Sequence, residues 1–162
     1  MSKRPKEDDE IDAARLTEDR QVMIGQHAKM KAFSISEIDL VMSEIITRRQ
    51  RANQMVPEEL RVAAMHCKQF RSFRSDVNAR EARKELLRLV EVQDADGHVR
   101  KARRCHTFEA AQLINLMPRT EDEAKKLIPT LEDNEFLRDL VSDLQPMRDN
   151  DNNLSSSAPL MP

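Results

Sequence analysis

Apolar positions recur along this chain at helical intervals, separated by polar punctuation. After Ser34, the residues Ile38, Val41, Met42, Ile45 and Ile46 fall on one side of a helix. Ser34 with Glu37 three residues on spells a capping box. The basic run Arg48-Arg49-Gln50-Arg51 closes the helix at the negative end of its dipole. Pro57 suits the first turn of a second helix, in which Leu60, Ala63, Ala64, Cys67 and Phe70 repeat at helical spacing. Ser75 or Asp76 opens a third, with Ala79, Ala82, Leu86, Leu87 and Val90. Residues 91–106 break the pattern around Asp96-Gly97, a turn signal.

Three short helices follow. Thr107 is expected to cap a helix carrying Phe108, Ala111 and Leu113 or Ile114. Thr120 and Glu123 spell another capping box, with Glu121, Asp122 and Glu123 at the positive end of the dipole and Lys125 and Lys126 near the negative end. Pro118 separates these two helices, and Pro129 ends the second, because a residue before proline is pushed out of the helical region. Asn134 can cap a last helix with Leu137, Leu140, Val141 and Leu144 on one face.

The expected fold is therefore all-α, with six helices: one at the front and five in a compact group from about 58 to 146. Residues 1–10 are mostly polar and charged and read as disordered. Residues 11–56 read as a partner-binding segment and the front helix, 57–147 as the bundle, and 148–162, rich in Asp, Asn, Ser and Pro, as a disordered tail. The front helix either packs on a partner or joins the bundle core.

Composition narrows the function. The chain has 162 residues, one domain of ordinary size plus tails. Charged residues make up 35% and aromatics 3%, so the core is thin and built mainly from aliphatic side chains. Two glycines argue against a turn-rich β fold and a glycine-rich phosphate loop. A net charge of -2 gives no global basic field for nucleic acid. No apolar run approaches the roughly 18 residues of a membrane span, and the N-terminus does not read as a signal peptide. Two cysteines suggest a reducing compartment.

Candidate chemistry is sparse. His66-Cys67 and Cys105-His106 supply zinc-type ligands, but no Cys-x-x-Cys spacing is present and neighbours on a helix point apart. Asp94-Ala95-Asp96-Gly97 fails as a calcium loop, since the twelfth position would be Arg103 rather than Glu. No metal, cofactor or catalytic arrangement is expected, and the chain does not read as an enzyme. Arg100, Lys101, Arg103 and Arg104 form a basic run beside the Asp-Gly turn, expected on the surface in weak contact with RNA or DNA backbone. Lys3-Arg4-Pro5-Lys6 fits a short nuclear-import pattern.

The block Phe108-Glu109-x-x-Gln112-Leu113, followed by Thr120-x-Asp122-Glu123-Ala124-Lys125-x-Leu127-Ile128-Pro129-x-Leu131, resembles the fourth-subunit family of eukaryotic RNA polymerase II, which has an archaeal counterpart. Ser36-Glu37-x-x-x-Val41-x-x-x-Ile45-x-x-Arg48-Arg49, Phe70-Arg71-Ser72-Phe73-Arg74 and Asp12-Ala13-Ala14-x-Leu16 match in the same order. Together they cover most of residues 11–146, and the Leu-Ile-Pro block is the specific part. The resemblance implies a non-catalytic nuclear stalk subunit with a lobe like the helicase-and-RNase-D C-terminal domain. It implies that Ala13, Ala14, Leu16, Ile38, Val41, Met42 and Ile45 bind the seventh polymerase subunit, and that the pair docks on the polymerase core to support initiation and transcript handling. The stretch 91–105 and the tail after Arg148 are longer than the family pattern. Two alternatives stand beside this reading: a free-standing helical nucleic-acid-binding module, and the paralogous subunit of RNA polymerase III, which usually lacks the Leu-Ile-Pro sequence.

Overall fold

The computed structural model describes residues 11–16, 22–24, 27 and 30–156. The import-like pattern at 3–6, the rest of the N-terminal ten residues, and 157–162 lie outside the described residues. Two short strands, β1 (Ile11–Leu16) and β2 (Val22–Ile24), pair antiparallel with an irregularity between Asp12 and Leu16. Then come α1 (Ile35–Arg51), α2 (Glu58–Phe70) and α3 (Asp76–Leu86). A hairpin of β3 (Leu89–Gln93) and β4 (Val99–Arg103) follows. The chain closes with α4 (Thr107–Leu116), α5 (Glu121–Leu127), a 3-10 turn (Pro129–Leu131) and α6 (Leu137–Ser156).

The six expected helices are present. Their inward positions make one core of Phe73, Leu86, Leu113, Ile114, Leu131, Leu137, Leu140 and Leu144, all nearly inaccessible. Ala79, Ala82, Ala110 and Ala124 are equally buried, and these small residues let α3, α4, α5 and α6 approach closely. α3 packs mainly along α6, and α1 rests on α2, α3 and α4. Met117 ends α4 in the left-handed region at φ 48° and is followed by the buried Pro118, which cannot continue a helix.

Five local expectations are corrected. The stretch 91–106 is not only a turn: Leu89 to Gln93 pairs in register with Arg103 to Val99. Val90 and Val92 alternate with polar residues, and Gly97 takes φ +81° at the turn, a conformation that glycine reaches without a Cβ clash. The cap of α4 is His106 rather than Thr107: its Nδ1 accepts from Phe108 N–H at 3.2 Å, while Glu109 Oε2 accepts from His106 N–H at 2.7 Å. Thr120 does cap α5, accepting from Glu123 N–H at 3.2 Å, but the Glu123 carboxylate reaches one residue further back, to Arg119 N–H. Asn134 caps the lead-in turn, its Oδ1 accepting from Phe136 N–H. Finally, α6 runs past Arg148 to Ser156, so the tail expected to begin at 148 is helical over its first part. Asp151 explains this, since its carboxylate accepts from Arg74 N–H at 2.9 Å, Ser75 N–H at 2.8 Å and Asn78 Nδ2 at 3.2 Å. It supplies a negative charge at the positive end of α3.

Candidate docking interface

α1 is an amphipathic helix that sits on the bundle by its polar side, with Leu40 packed against the core. Ser36, Glu37 and Asp39 are its buried residues. Glu37 completes the capping box expected from sequence, accepting from both Ser34 N–H and Ser34 Oγ at 2.8 Å. Its other oxygen lies 3.0 Å from Arg83 Nη1 on α3. The same Arg83 donates to Ala32 carbonyl at 2.8 Å and lies 4.6 Å over the Phe33 ring. Asp39 pairs with Arg71 at 2.7 Å. Ser36 Oγ accepts from Phe73 N–H at 3.0 Å and lies 3.3 Å from Ser72 Oγ.

The approach to α1 is stitched down in the same way. Asn115 Oδ1 accepts from Ile35 N–H at 2.8 Å. Thr107 Oγ1 accepts from Ala32 N–H and donates to Met30 carbonyl. These bonds tie the start of α1 to α3 and α4.

This anchoring decides where the apolar stripe points. Val41 is 49% exposed and Ile45 41%, while Ile38 and Met42 are half-buried. The helix therefore joins the bundle and still presents apolar side chains to solvent. Of the two sequence alternatives, the structure shows the packing of α1 on the bundle and leaves Val41 and Ile45 open. Completing the burial of Val41 and Ile45 is worth roughly 1 kcal/mol apiece, about half the full-burial figure. Ala13, Ala14 and Leu16 are positions on β1, which lies beside the 3-10 turn at Pro129–Leu131.

α2 adds a second apolar surface that sequence reasoning missed. Leu60, Ala63 and Ala64 are half-buried and Cys67 buried, but Phe70 is 54% exposed and meets the His66 ring at a tilt, 4.6 Å between centroids. Val62 and Met65 on the outer side are also exposed, beside an open groove of about 580 Å³ lined by Glu58, Glu59, Val62, Ala63, His66 and Cys67.

The basic run divides. Arg104 is buried, which corrects its expected surface position: it donates to the Glu85 carbonyl, pairs with Asp143 and lies 3.7 Å from Glu85 Oε1. Arg100 is exposed but paired with Asp94 at 2.8 Å. Lys101 and Arg103 stay exposed on β4, without an ion pair among the described residues. The four do not form one nucleic-acid surface.

His66, Cys67, Cys105 and His106 have structural occupations. Among the described residues, no group of three or more His, Cys, Asp or Glu side chains is placed to hold a metal ion. Cys105 Sγ donates to the Leu86 carbonyl, and burial pushes its thiol pKa up to about 12. Burial also raises the Cys67 thiol, with Asp39 adding to the effect. Both shifts disfavour the thiolate, the reactive form of cysteine. No helix among the described residues is long and apolar enough to cross a membrane.

The family model for RNA polymerase Rpb4 matches residues 32–148, from the irregular segment leading into α1 to the middle of α6. The chain belongs to the RNA polymerase Rpb4 family. An Rpb4 subunit is a non-catalytic component of a DNA-directed RNA polymerase, and this chain is such a subunit. The Rpb4 match covers α1, whose stripe faces solvent, and all the helices that hold its polar side in place.

Proposed function

We propose that this Rpb4-family chain is the stalk subunit of RNA polymerase II and acts in the nucleus as a heterodimer with the seventh subunit. The N-terminal segment bearing Ala13, Ala14 and Leu16, and the outward stripe of α1, bind that partner. The pair docks on the polymerase core and supports initiation and transcript handling.

One observation carries the interface. α1 is fixed to the bundle by Ser36, Glu37 and Asp39, yet Val41 and Ile45 remain exposed along its free side. A helix whose apolar residues were needed only for its own fold would turn them inward. Assignment to polymerase II rather than III rests on Leu127-Ile128-Pro129-x-Leu131. In this block Ile128 and Leu131 are buried, and Pro129 stops α5 and starts the 3-10 turn.

Val41→Asp tests the interface. Co-purification from the native cells should recover much less seventh subunit, while circular dichroism keeps the helical signal. Undiminished recovery of the partner rejects α1 as the docking face. Mass spectrometry of the largest subunits that accompany the tagged wild-type chain separates polymerase II from polymerase III.

A further inference from the structure

The β3–β4 ribbon takes no part in the proposed stalk interface. Its base is rigid. Arg104, at the end of β4, is held by Asp143 and Glu85, and Asn134 Nδ2 donates to the Arg104 carbonyl at 2.8 Å. Beyond that base the two strands contact each other far more than any other element. Two-stranded ribbons are marginal by themselves and gain from a third strand.

The hydrogen-bond phase shows what the ribbon offers. Asp94 N–H donates to the His98 carbonyl at 2.9 Å. Bonded and non-bonded pairs alternate along an antiparallel ladder. Val92–Arg100 and Val90–Ala102 are therefore the bonded pairs. The main-chain groups of Val99, Lys101 and Arg103 point away from β3, toward an outer edge that no backbone bond among the described residues satisfies. The side chains of these three residues share the exposed face with Leu89, Glu91 and Gln93.

Charge on that edge is selective. Arg88, Arg100 and Arg104 each have a carboxylate partner within the chain. Lys101 and Arg103, two residues apart on the same face, have none among the described residues. We propose that the outer edge of β4 docks an extended acidic peptide segment of a partner protein as a third strand of the ribbon. Main-chain bonds supply the attachment. Carboxylates at alternate positions of the incoming strand lie beside Lys101 and Arg103, and cross-strand pairs of opposite charge favour that register. The residue between them faces the Ala102 side and is small or apolar. A nucleic-acid backbone fits less well, because the edge offers only these two cations without a carboxylate partner among the described residues, and main-chain pairing adds nothing for it.

The test uses the isotopically labelled full chain with three probes: an eight-residue peptide of alternating Glu and Val, its Lys–Val counterpart, and oligouridylate. The Glu–Val peptide should give saturable amide shifts at Val99, Lys101 and Arg103, and the Lys–Val peptide none. Combined Lys101→Glu and Arg103→Glu should weaken binding about tenfold. Lys101→Pro removes an outward N–H that no ladder bond uses, which an edge strand tolerates. It should abolish binding, whereas Lys101→Ala only weakens it. The proposal is overturned if the Glu–Val peptide gives no saturable shift, or if Lys101→Pro and Lys101→Ala bind equally well. Oligouridylate binding at these residues more tightly than the peptide also overturns it, in favour of phosphate contact.

Discussion

Arg104 and Lys101 belong to one basic run but sit in opposite environments, because β4 ends between them. Arg104 is the residue that joins the hairpin base to α6 and the end of α3. Arg104→Ala should lower unfolding free energy by about 2–3 kcal/mol, under the 3–5 of a fully buried pair, because Asp143 and Glu85 are each about 30% exposed. Replacing Lys101 and Arg103 with Ser should leave the denaturant midpoint in place. Cys105 gives a second check at this scale. Its thiol pKa is raised from 9.0 to about 12, so the folded state favours the protonated form. Stability from this group is complete below pH 9 and declines as pH rises toward 12. At pH 8 the native chain should resist alkylation at Cys105, and denaturant should release it; rapid native labelling would show that the site opens. The ordinary core positions were legible at this scale because burial follows helical period. Arg104 was not, since its partners at 85 and 143 are distant in sequence and no spacing rule connects them.

Among elements, caps and period identified all six helices, and the errors fall where long-range contacts override local signals. The hairpin was half written in the sequence: Leu89-Val90-Glu91-Val92-Gln93 alternates and Asp96-Gly97 turns. Its second strand, Val-Arg-Lys-Ala-Arg, lacks β-branched and aromatic residues after the first position, which hid the pairing. The extension of α6 was hidden for another reason. Asp, Asn and Ser are poor helix formers, yet Asp151 binds the amides that open α3. Asp151→Ala should therefore cost about 2 kcal/mol, and Asp151→Asn, which keeps one acceptor oxygen, less. Thermal melts of both variants measure this; an unchanged Asp151→Ala melt would mean that the last turns of α6 do not hold α3.

At the scale of the molecule, a hydrophobic core built from Phe73 to Leu144 carries a front helix whose fully buried contacts are polar, with Leu40 adding a partly buried apolar one. Such attachments are weaker per contact than the core, so α1 should open below the global unfolding energy. Native-state hydrogen exchange should show α1 amides less protected than those of α4. Combined Glu37→Gln and Arg83→Met should widen the gap without unfolding the core. Equal protection in both helices would place α1 inside the same cooperative unit. The apolar stripe of α1 was legible in sequence as a series, but its outward direction was not, because it depends on Arg71, Arg83, Thr107 and Asn115. Every one of those anchors lies C-terminal to the helix it holds. Synthesis runs from the N-terminus, so α1 leaves the ribosome with none of its fastenings made. Asn115, the last of them, follows some eighty residues after Ile35. During that interval the stripe is open before its own helix is anchored, so the partner proposed above has a head start over the rest of the chain.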